Sequence, residues 1–594
     1  MKRLNRILLI MAAFLVAQNA MAQNIDPTVE VQRDFDGRMV NIHKSHLKSN
    51  IHDSLSNFNL NFNYSIFDKP YKDLYEFSPL PSADMQGKIE EKLPVFFAKA
   101  SAGYPLAPLA DIRFQPRLKG GNTLQLNAFY NGFYSMMNTL SIDESTHKIV
   151  KNKDIRSYSS NTSVGGAATW SHHWKNGKLA LELGYNANSN SYYGFPVTPN
   201  ASPESPFYSK LDDKNFIADS ASHNWQQLRA KFSIGSVDAK AGKVHFHYSL
   251  NATYLNTSDK YLQDKLGENY IKVSGEAGPS FGKYNKISIG FNSETALYSG
   301  IKEYKYGIYE IIPQYSFEKG RLKLKGGVKI SGNYSDKDDA GDYHNAISPV
   351  GEISFEIARK NLWIYGIVDG GNCINSYSMI LMENPWITQQ TVLKASSIPL
   401  LVKGGLRGQI RNKFSYNVYA GYTIHQGLLQ YIGIPVIPYP EIHDSRLTAV
   451  YSNHREFSVG GELKWESRSF CAATSVEYSD YTKSRKATLG DGYRAIGYTP
   501  FKWDLEAVWN YRERIWIGIS ADYRSATPTW NATYFKEEID FNPFLNLGAN
   551  AVYSVNRNIS VYLKGENLLN NQIQYYPQYL EKGMSFAAGI LVKF

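Results

Sequence analysis

The sequence of 594 residues contains only two cysteines, Cys373 and Cys471. Two thiols so far apart exclude a disulfide-framework protein and leave one bridge or two free thiols equally open. Long apolar runs are as scarce. Lys2, Arg3 and Arg6 precede a short apolar stretch over residues 7–16, and Ala20-Met21-Ala22 follows as a small-x-small cleavage site. This pattern predicts a secretory signal peptide over residues 1–22. The stretch is shorter than the ~20 residues needed to span a bilayer. No second one follows, so a helical membrane protein is excluded. Charge of one sign is not concentrated either. The net charge of +10 falls to +7 without the three basic signal residues, and Lys and Arg are scattered along the chain, which argues against a nucleic-acid partner. No G-x-S-x-G, H-E-x-x-H or phosphate-cradling glycine loop is present, so nothing nominates an enzyme or a cofactor.

What is abundant is aromatic and alternating. Tyr 43, Phe 29 and Trp 10 stand beside Gly 45. In SHHWKNGKLALELGY, Leu179, Leu181, Leu183 and Tyr185 fall on one side of an extended chain, and Ala180, Glu182, Gly184 and Asn186 on the other. Asn176-Gly177 is the expected tight turn, supplying positive φ. Further on, Val244, Phe246, Tyr248 and Leu250 alternate with Lys243, His245, His247, Ser249 and Asn251. The last strand places Phe586, Ala588, Ile590, Val592 and Phe594 on one face.

A soluble β-sandwich also alternates, but its turns do not. Short connections are expected near 119–122, 175–177, 237–241, 282–285, 319–320, 359–360, 410–412, 467–468, 512–513 and 556–557. Long ones are expected near 104–108, 137–161, 191–221, 256–267, 299–305, 335–345, 372–395, 426–454, 481–499, 525–539 and 568–583. Strands of about ten residues with short and long turns in alternation mark a transmembrane β-barrel, with long loops outside and short turns in the periplasm. Lipid supplies no partner for an open sheet edge, so the sheet must close. The segmentation gives an all-β, antiparallel outer-membrane barrel of about 22 strands over residues 93–594. A short segment, 23–92, precedes it on the periplasmic side or in the lumen.

The C-terminal hairpin, ISVYLKGENLLNNQIQYYPQYLEKGMSFAAGILVKF, carries Asn567, Leu568 and Asn570 after its first strand and ends in an aromatic residue. It resembles the final hairpin of TonB-dependent outer-membrane receptors, and the composition is similar to receptors of the Bacteroidetes type. FSVGGELKWE, residues 457–466, resembles a barrel strand of that family. The resemblance implies 22 strands, a Gram-negative outer membrane, and a terminal strand (Phe586, Ile590, Val592, Phe594) read by the barrel-assembly machinery. It also implies a plug domain of about 150 residues, for which the segment 23–92 is too short. DPTVEV, residues 26–31, is only faintly similar to the family's energy-coupling box.

Within the N-terminal segment, NFNLNFNYSIF places Phe58, Leu60, Phe62, Tyr64 and Ile66 on one side of a strand. An isolated strand leaves its backbone unpaired. It is expected to pair with the barrel's own wall or rim, or with a partner protein by strand addition. His245 and His247 share a face, and residues 335–342 resemble part of a calcium loop, but lumen lining and a solvated loop explain them better. The loops at 192–199, 384–390, 430–444, 527–535 and 574–581 are aromatic and proline-bearing. Their exposed aromatics are expected to supply contact area for a lid, a ligand surface or a docking surface for a lipoprotein or another barrel, with interfacial girdle residues among them. The reading is a non-enzymatic barrel subunit of an outer-membrane complex, holding lipoproteins or assembly machinery in a shell of outer-membrane lipid. The alternative is a solute transporter or channel, partner-gated or TonB-coupled.

Overall fold

The structure is a computed structural model. It describes residues 31–32 and 94–594, apart from 144, 147, 198–201, 237–244, 282–283, 337–345, 360, 412, 435–444, 468 and 532–536. The signal peptide, the strand at 57–67, most of the coupling-box stretch, most of the calcium-like loop and much of 430–444 lie outside the described residues.

Twenty-two antiparallel strands form one closed sheet. They are β1 (Phe96–Tyr104), β2 (Leu109–Phe114), β3 (Asn122–Asp143), β4 (Lys148–Trp174), β5 (Gly177–Ser191), β6 (Ser222–Ser236), β7 (His245–Tyr261), β8 (Asp264–Phe281), β9 (Asn285–Gly300), β10 (Lys305–Lys319) and β11 (Leu322–Ser335). The circuit continues through β12 (Ala346–Ala358), β13 (Leu362–Cys373), β14 (Ser396–Ile410), β15 (Phe414–Gly433), β16 (Leu447–Glu466), β17 (Phe470–Tyr481), β18 (Phe501–Tyr511), β19 (Ile515–Arg524), β20 (Phe544–Ser554), β21 (Ile559–Glu566) and β22 (Ser585–Lys593). Each strand pairs with its sequence neighbours, and β1 pairs with β22 from Phe97↔Lys593 to Tyr104↔Phe586. Phe594 completes the seam: its N–H donates to the Phe96 carbonyl at 2.9 Å, its carbonyl accepts from Phe96 N–H at 3.1 Å, and the two rings lie 6.3 Å apart.

The alternation separates two surfaces. Leu183, Phe246, Ile289 and Ile590 are more than half exposed and point outward, while Glu182, His247 and Lys564 between them face the lumen. A contiguous outward apolar belt has no place in water and matches lipid. Trp170, His172 and Trp174 stack along the outward face of β4 at 6.3 and 6.0 Å, beside a short turn, where an interfacial girdle belongs. Among the described residues no helix is long and apolar enough to cross a membrane.

Nine of the ten short turns fall where the pattern expects them, the tenth, at 237–241, lying outside the described residues, but three long loops do not. The connections expected at 137–161 and 256–267 shrink to residues 144–147 and to Leu262-Gln263. The third, at 426–454, shrinks to 434–446. The residues around these turns stay paired as strands that rise past the membrane, with register shifts between Asn138 and Leu140 and between His425 and Leu428, so polar outward residues there do not end the ladder. The Asn176-Gly177 turn also differs. Lys175 and Asn176 make the turn, Gly177 already pairs with Trp174, and neither Asn176 nor Gly177 has positive φ. Glycine is needed there because a Cβ would collide with the Trp174 ring. Cys373 and Cys471 form no disulfide. They sit on β13 and β17, four strands apart, which at ~4.8 Å per strand is far beyond the ~7 Å limit for a bridge.

Pairing between β12 and β13 stops at Gly351↔Val368. Beyond that point the two-residue strand Val31–Gln32 runs antiparallel to Gly370–Gly371. Lys329 donates to Asp369 at 2.8 Å and to the Gly370 carbonyl, so the parted wall is tied from the lumen side.

Candidate functional site

The long-loop end of the barrel is closed. The connection between β13 and β14, residues 374–395, turns inward instead of out, as a cap. Ser376 caps its helix α1 (Tyr377–Glu383) by accepting from Met379 N–H. Tyr377, Ile380, Leu381, Trp386 and Ile387 are almost wholly buried. The cap is held by groups from several strands. Glu268 on β8 accepts from the N–H of Tyr377 at 2.6 Å and of Ser378 at 3.2 Å. Tyr306 on β10 donates to the Asn375 carbonyl at 2.6 Å. His223 on β6 donates Nε2 to the Pro385 carbonyl at 2.7 Å. Leu447 on β16 donates its N–H to the Trp386 carbonyl at 2.9 Å and accepts from Thr388 N–H at 2.8 Å.

Asp259 on β7 gathers the rest. It contacts His223 Nδ1 at 2.9 Å, accepts from Gln389 Nε2 at 2.9 Å and accepts from the Tyr377 hydroxyl. A carboxylate with three donors in a dry site is stable only as a unit, because removing one partner leaves charge uncompensated. Tyr192 stacks on the His223 ring at 4.9 Å. Burial, and secondarily Asp259, push the hydroxyls of Tyr377 and Tyr192 well above the usual tyrosine range.

Among the described residues, the aromatic loops at 192–197, 384–390 and 574–581 interlock above the cap, so their aromatic residues act as a lid rather than as exposed contact surface. Tyr192, Tyr193, Trp386, Tyr576 and Tyr579 are almost fully buried, against one another. Trp386 stacks on Tyr579 at 3.9 Å, and Tyr193 meets Tyr579 edge-on at 5.0 Å. Their hydroxyls reach across to backbone carbonyls: Tyr193 to Leu580, Tyr576 to Glu383 and Tyr579 to Ser445, at 2.7–2.8 Å. A sequence shows aromatic loops, not that distant ones fill each other's gaps. The cap-holding residues Asp259, Glu268 and His223 carried no motif, and only their lumen-facing parity with buried neighbours hinted at them.

Beside the cap lies a narrow cleft with internal room for little more than one water molecule. Leu429, Gln430 and Tyr431 of β15 form one wall, Ile496 and Tyr498 another, and Thr529, Phe541, Tyr575 and Tyr576 the remainder, with Glu383 of the cap at the edge. Gln430 Oε1, Tyr431 Oη and Thr529 Oγ1 are buried without a hydrogen-bond partner.

The C-terminal residues singled out from the sequence have clear places. Phe586, Ile590, Val592 and Phe594 lie on the outward side of the seam strand or just past it. Asn567 and Asn570 adopt positive φ of 46° and 51°. Asn567 donates to the Asn571 and Lys582 carbonyls at 2.9 and 3.2 Å, and Asn570 Oδ1 accepts from Met584 N–H at 3.1 Å. Leu568 N–H donates to the Leu547 carbonyl at 2.9 Å. His247 faces Glu276 at 3.5 Å across β7 and β8.

A closed 22-strand sheet with a lipid-facing apolar belt, aromatic girdle residues and a polar lumen is an outer-membrane β-barrel. In architecture it is like a TonB-dependent receptor barrel. Among solved structures the chain is similar to the FrpB iron transporter from Neisseria meningitidis, at 10% identity over 85% of this chain and 82% of that one, TM-score 0.62. It is similar to the siderophore receptor PiuA from Acinetobacter baumannii, at 10% identity over 85% and 82%, TM-score 0.57. A mutant of the ferric enterobactin receptor PfeA from Pseudomonas aeruginosa gives 9% identity over 84% and 80%, TM-score 0.58. At these identities the likeness carries the fold. No protein-family model matches the sequence, and no curated protein does.

Proposed function

We propose that the protein is an outer-membrane transporter, in which the 374–395 cap closes a polar passage for a solute. The observation that supports this is the cap itself, folded into the barrel mouth and tied to Asp259, Glu268 and His223. A barrel of this width is not filled by its own wall side chains, so its permeability depends on what blocks it. The lumen wall below the cap carries paired charges of both signs, Arg229–Glu182, Lys272–Glu294, Lys502–Glu477 and Arg524–Asp504 among them. Such a wall is wettable without favouring one sign of ion. The similar structures named above are an iron transporter and siderophore receptors, which agrees with a transport role.

The reading as a complex subunit rests on the strand at 57–67, and TonB coupling rests on residues 26–31. Planar-bilayer recording separates the readings. Intact protein is expected to show little conductance, and protein lacking residues 376–391 a large, stable one. Equal conductance from both would overturn the role of the cap as the closure. Affinity purification with and without residues 57–67 tests the subunit reading. Partners lost on that deletion, together with a silent cap-less barrel, would replace the transport reading.

A further inference from the structure

The two ends of the barrel differ in charge. Each of the ten short turns expected from the sequence carries Lys or Arg. Together they hold eleven basic residues against two carboxylates, Asp238 and Glu513, whereas the eleven long connections hold nineteen against twenty-one. The excess of positive charge therefore lies at one rim, the periplasmic one. Turn residues are polar in any barrel, but solvation alone favours neither sign.

Six of these turns present Lys175, Lys319, Arg359, Arg411, Arg512 and Arg557 as exposed side chains. Among the described residues none of the six pairs with a carboxylate, while the nearby Lys323 does, with Glu318 at 2.6 Å. Neighbouring short turns are two strands apart, ~10 Å. That is about one Debye length at 0.1 M salt, so the fields of adjacent turns overlap into a ring. Depth is set by the outward residues beside the turns. Trp174, Phe355, Trp465, Trp509 and Tyr553 are exposed on the lipid side within four residues of a turn, and such a girdle marks the headgroup boundary. Lys319 lies over the Tyr284 ring at 5.6 Å and Arg512 over the Tyr511 ring at 5.1 Å. Long basic side chains beside a girdle keep their apolar stems on the barrel and their charge among the headgroups, where the group to meet is phosphate.

We propose that the periplasmic rim is a binding surface for anionic phospholipid, a ring of basic turns that gathers negatively charged headgroups from the periplasmic leaflet. A zwitterionic headgroup brings its own ammonium to the phosphate and gains little from such a ring. A headgroup with net negative charge gains from more than one turn at once. An acidic protein would be met by charges projecting into the periplasm, whereas Lys319 and Arg512 lie back against girdle rings. The rim is at the opposite end from the cap, so this surface goes beyond the transport reading, and either can fail without the other.

The test uses the full-length protein in phosphatidylcholine vesicles that contain brominated phosphatidylcholine or brominated phosphatidylglycerol. Bromine quenches tryptophan on contact. The exposed tryptophans among the described residues, Trp174, Trp465 and Trp509, all lie at this rim. Phosphatidylglycerol is expected to associate about fivefold more strongly than phosphatidylcholine, with the preference falling toward one in high salt. Lys175→Gln, Lys413→Gln and Arg512→Gln, combined, change exposed side chains beside the three reporters. This triple variant is expected to lose the preference and to keep a heat-modifiable barrel. Lys148→Gln with Lys483→Gln, at the other end, is expected to retain the preference. No preference in the unaltered protein overturns the surface. So does a preference that survives the triple variant, or one that the distant pair lowers equally, which would make it a matter of overall charge. Inorganic phosphate that displaces the lipid better than chloride of equal ionic strength also overturns it, by revealing a site for a free anion.

Discussion

Asn567 organises the last long loop through one side-chain amide. Its nitrogen spans the two sides of that loop, reaching Asn571 and Lys582, while its oxygen accepts from Asn571 N–H at 2.9 Å. Its positive φ is a conformation that asparagine tolerates better than most residues with a side chain. The motif that suggested a family is, physically, a brace. Asn567→Ala leaves two carbonyls without that donor and keeps an unfavourable backbone angle. The expected loss is about 1–3 kcal/mol, read as a lower urea midpoint for the refolded barrel. Asn570→Gly, which keeps the backbone freedom and loses one bond, is expected to cost less.

At the scale of the element, the cap is a segment whose stability depends on protonation. The hydroxyls of Tyr377 and Tyr192 are raised by burial. A raised acid favours the closed form while it is protonated. Its contribution is fully present below the ordinary tyrosine value of about 10 and is lost as pH rises beyond it. Conductance is therefore expected to stay low between pH 6 and 9 and to rise above about pH 10, together with tyrosinate absorbance. Asp259→Asn removes the charge that His223, Gln389 and Tyr377 converge on. It is expected to raise conductance at neutral pH without unfolding the barrel, whose strand ladder does not use that carboxylate. A silent Asp259→Asn channel would show that the aromatic layer alone keeps the mouth shut.

For the whole molecule, closure is the condition of existence in lipid. The seam is made by the first and last strands, with Phe594 at its end. Deleting Phe594 removes two backbone bonds and a ring contact with Phe96. We expect a smaller fraction of heat-modifiable, folded barrel in outer-membrane preparations, consistent with a proposed role of Phe586, Ile590, Val592 and Phe594 as the assembly signal. Cys373 and Cys471, on separate strands of a rigid wall, are expected to leave gel mobility unchanged whether or not reductant is present.

The barrel was legible in the sequence because lipid imposes a local rule. Every outward position must be apolar, every strand must cross the same thickness, and every turn must lie at one end or the other. Leu181, Leu183 and Tyr185 obey that rule within five residues, so periodicity carried the strand count, the faces and the short turns among the described residues. Strand length beyond the membrane was not legible, since no lipid acts on residues 137–161 to fix where the ladder ends. Nor was the mouth of the barrel. Tyr192, Trp386 and Tyr579 come from three loops far apart in the chain, and one residue of each says nothing about the others. Asp259, Glu268 and His223 read as lumen polarity until the 374–395 segment folds back onto them. Sequence alone determined that this chain is a lipid-embedded barrel, because that follows from alternation between neighbours. Only the tertiary structure decided that the barrel is capped, and where a cleft with unmet hydrogen bonds remains, because those depend on contacts between residues hundreds of positions apart.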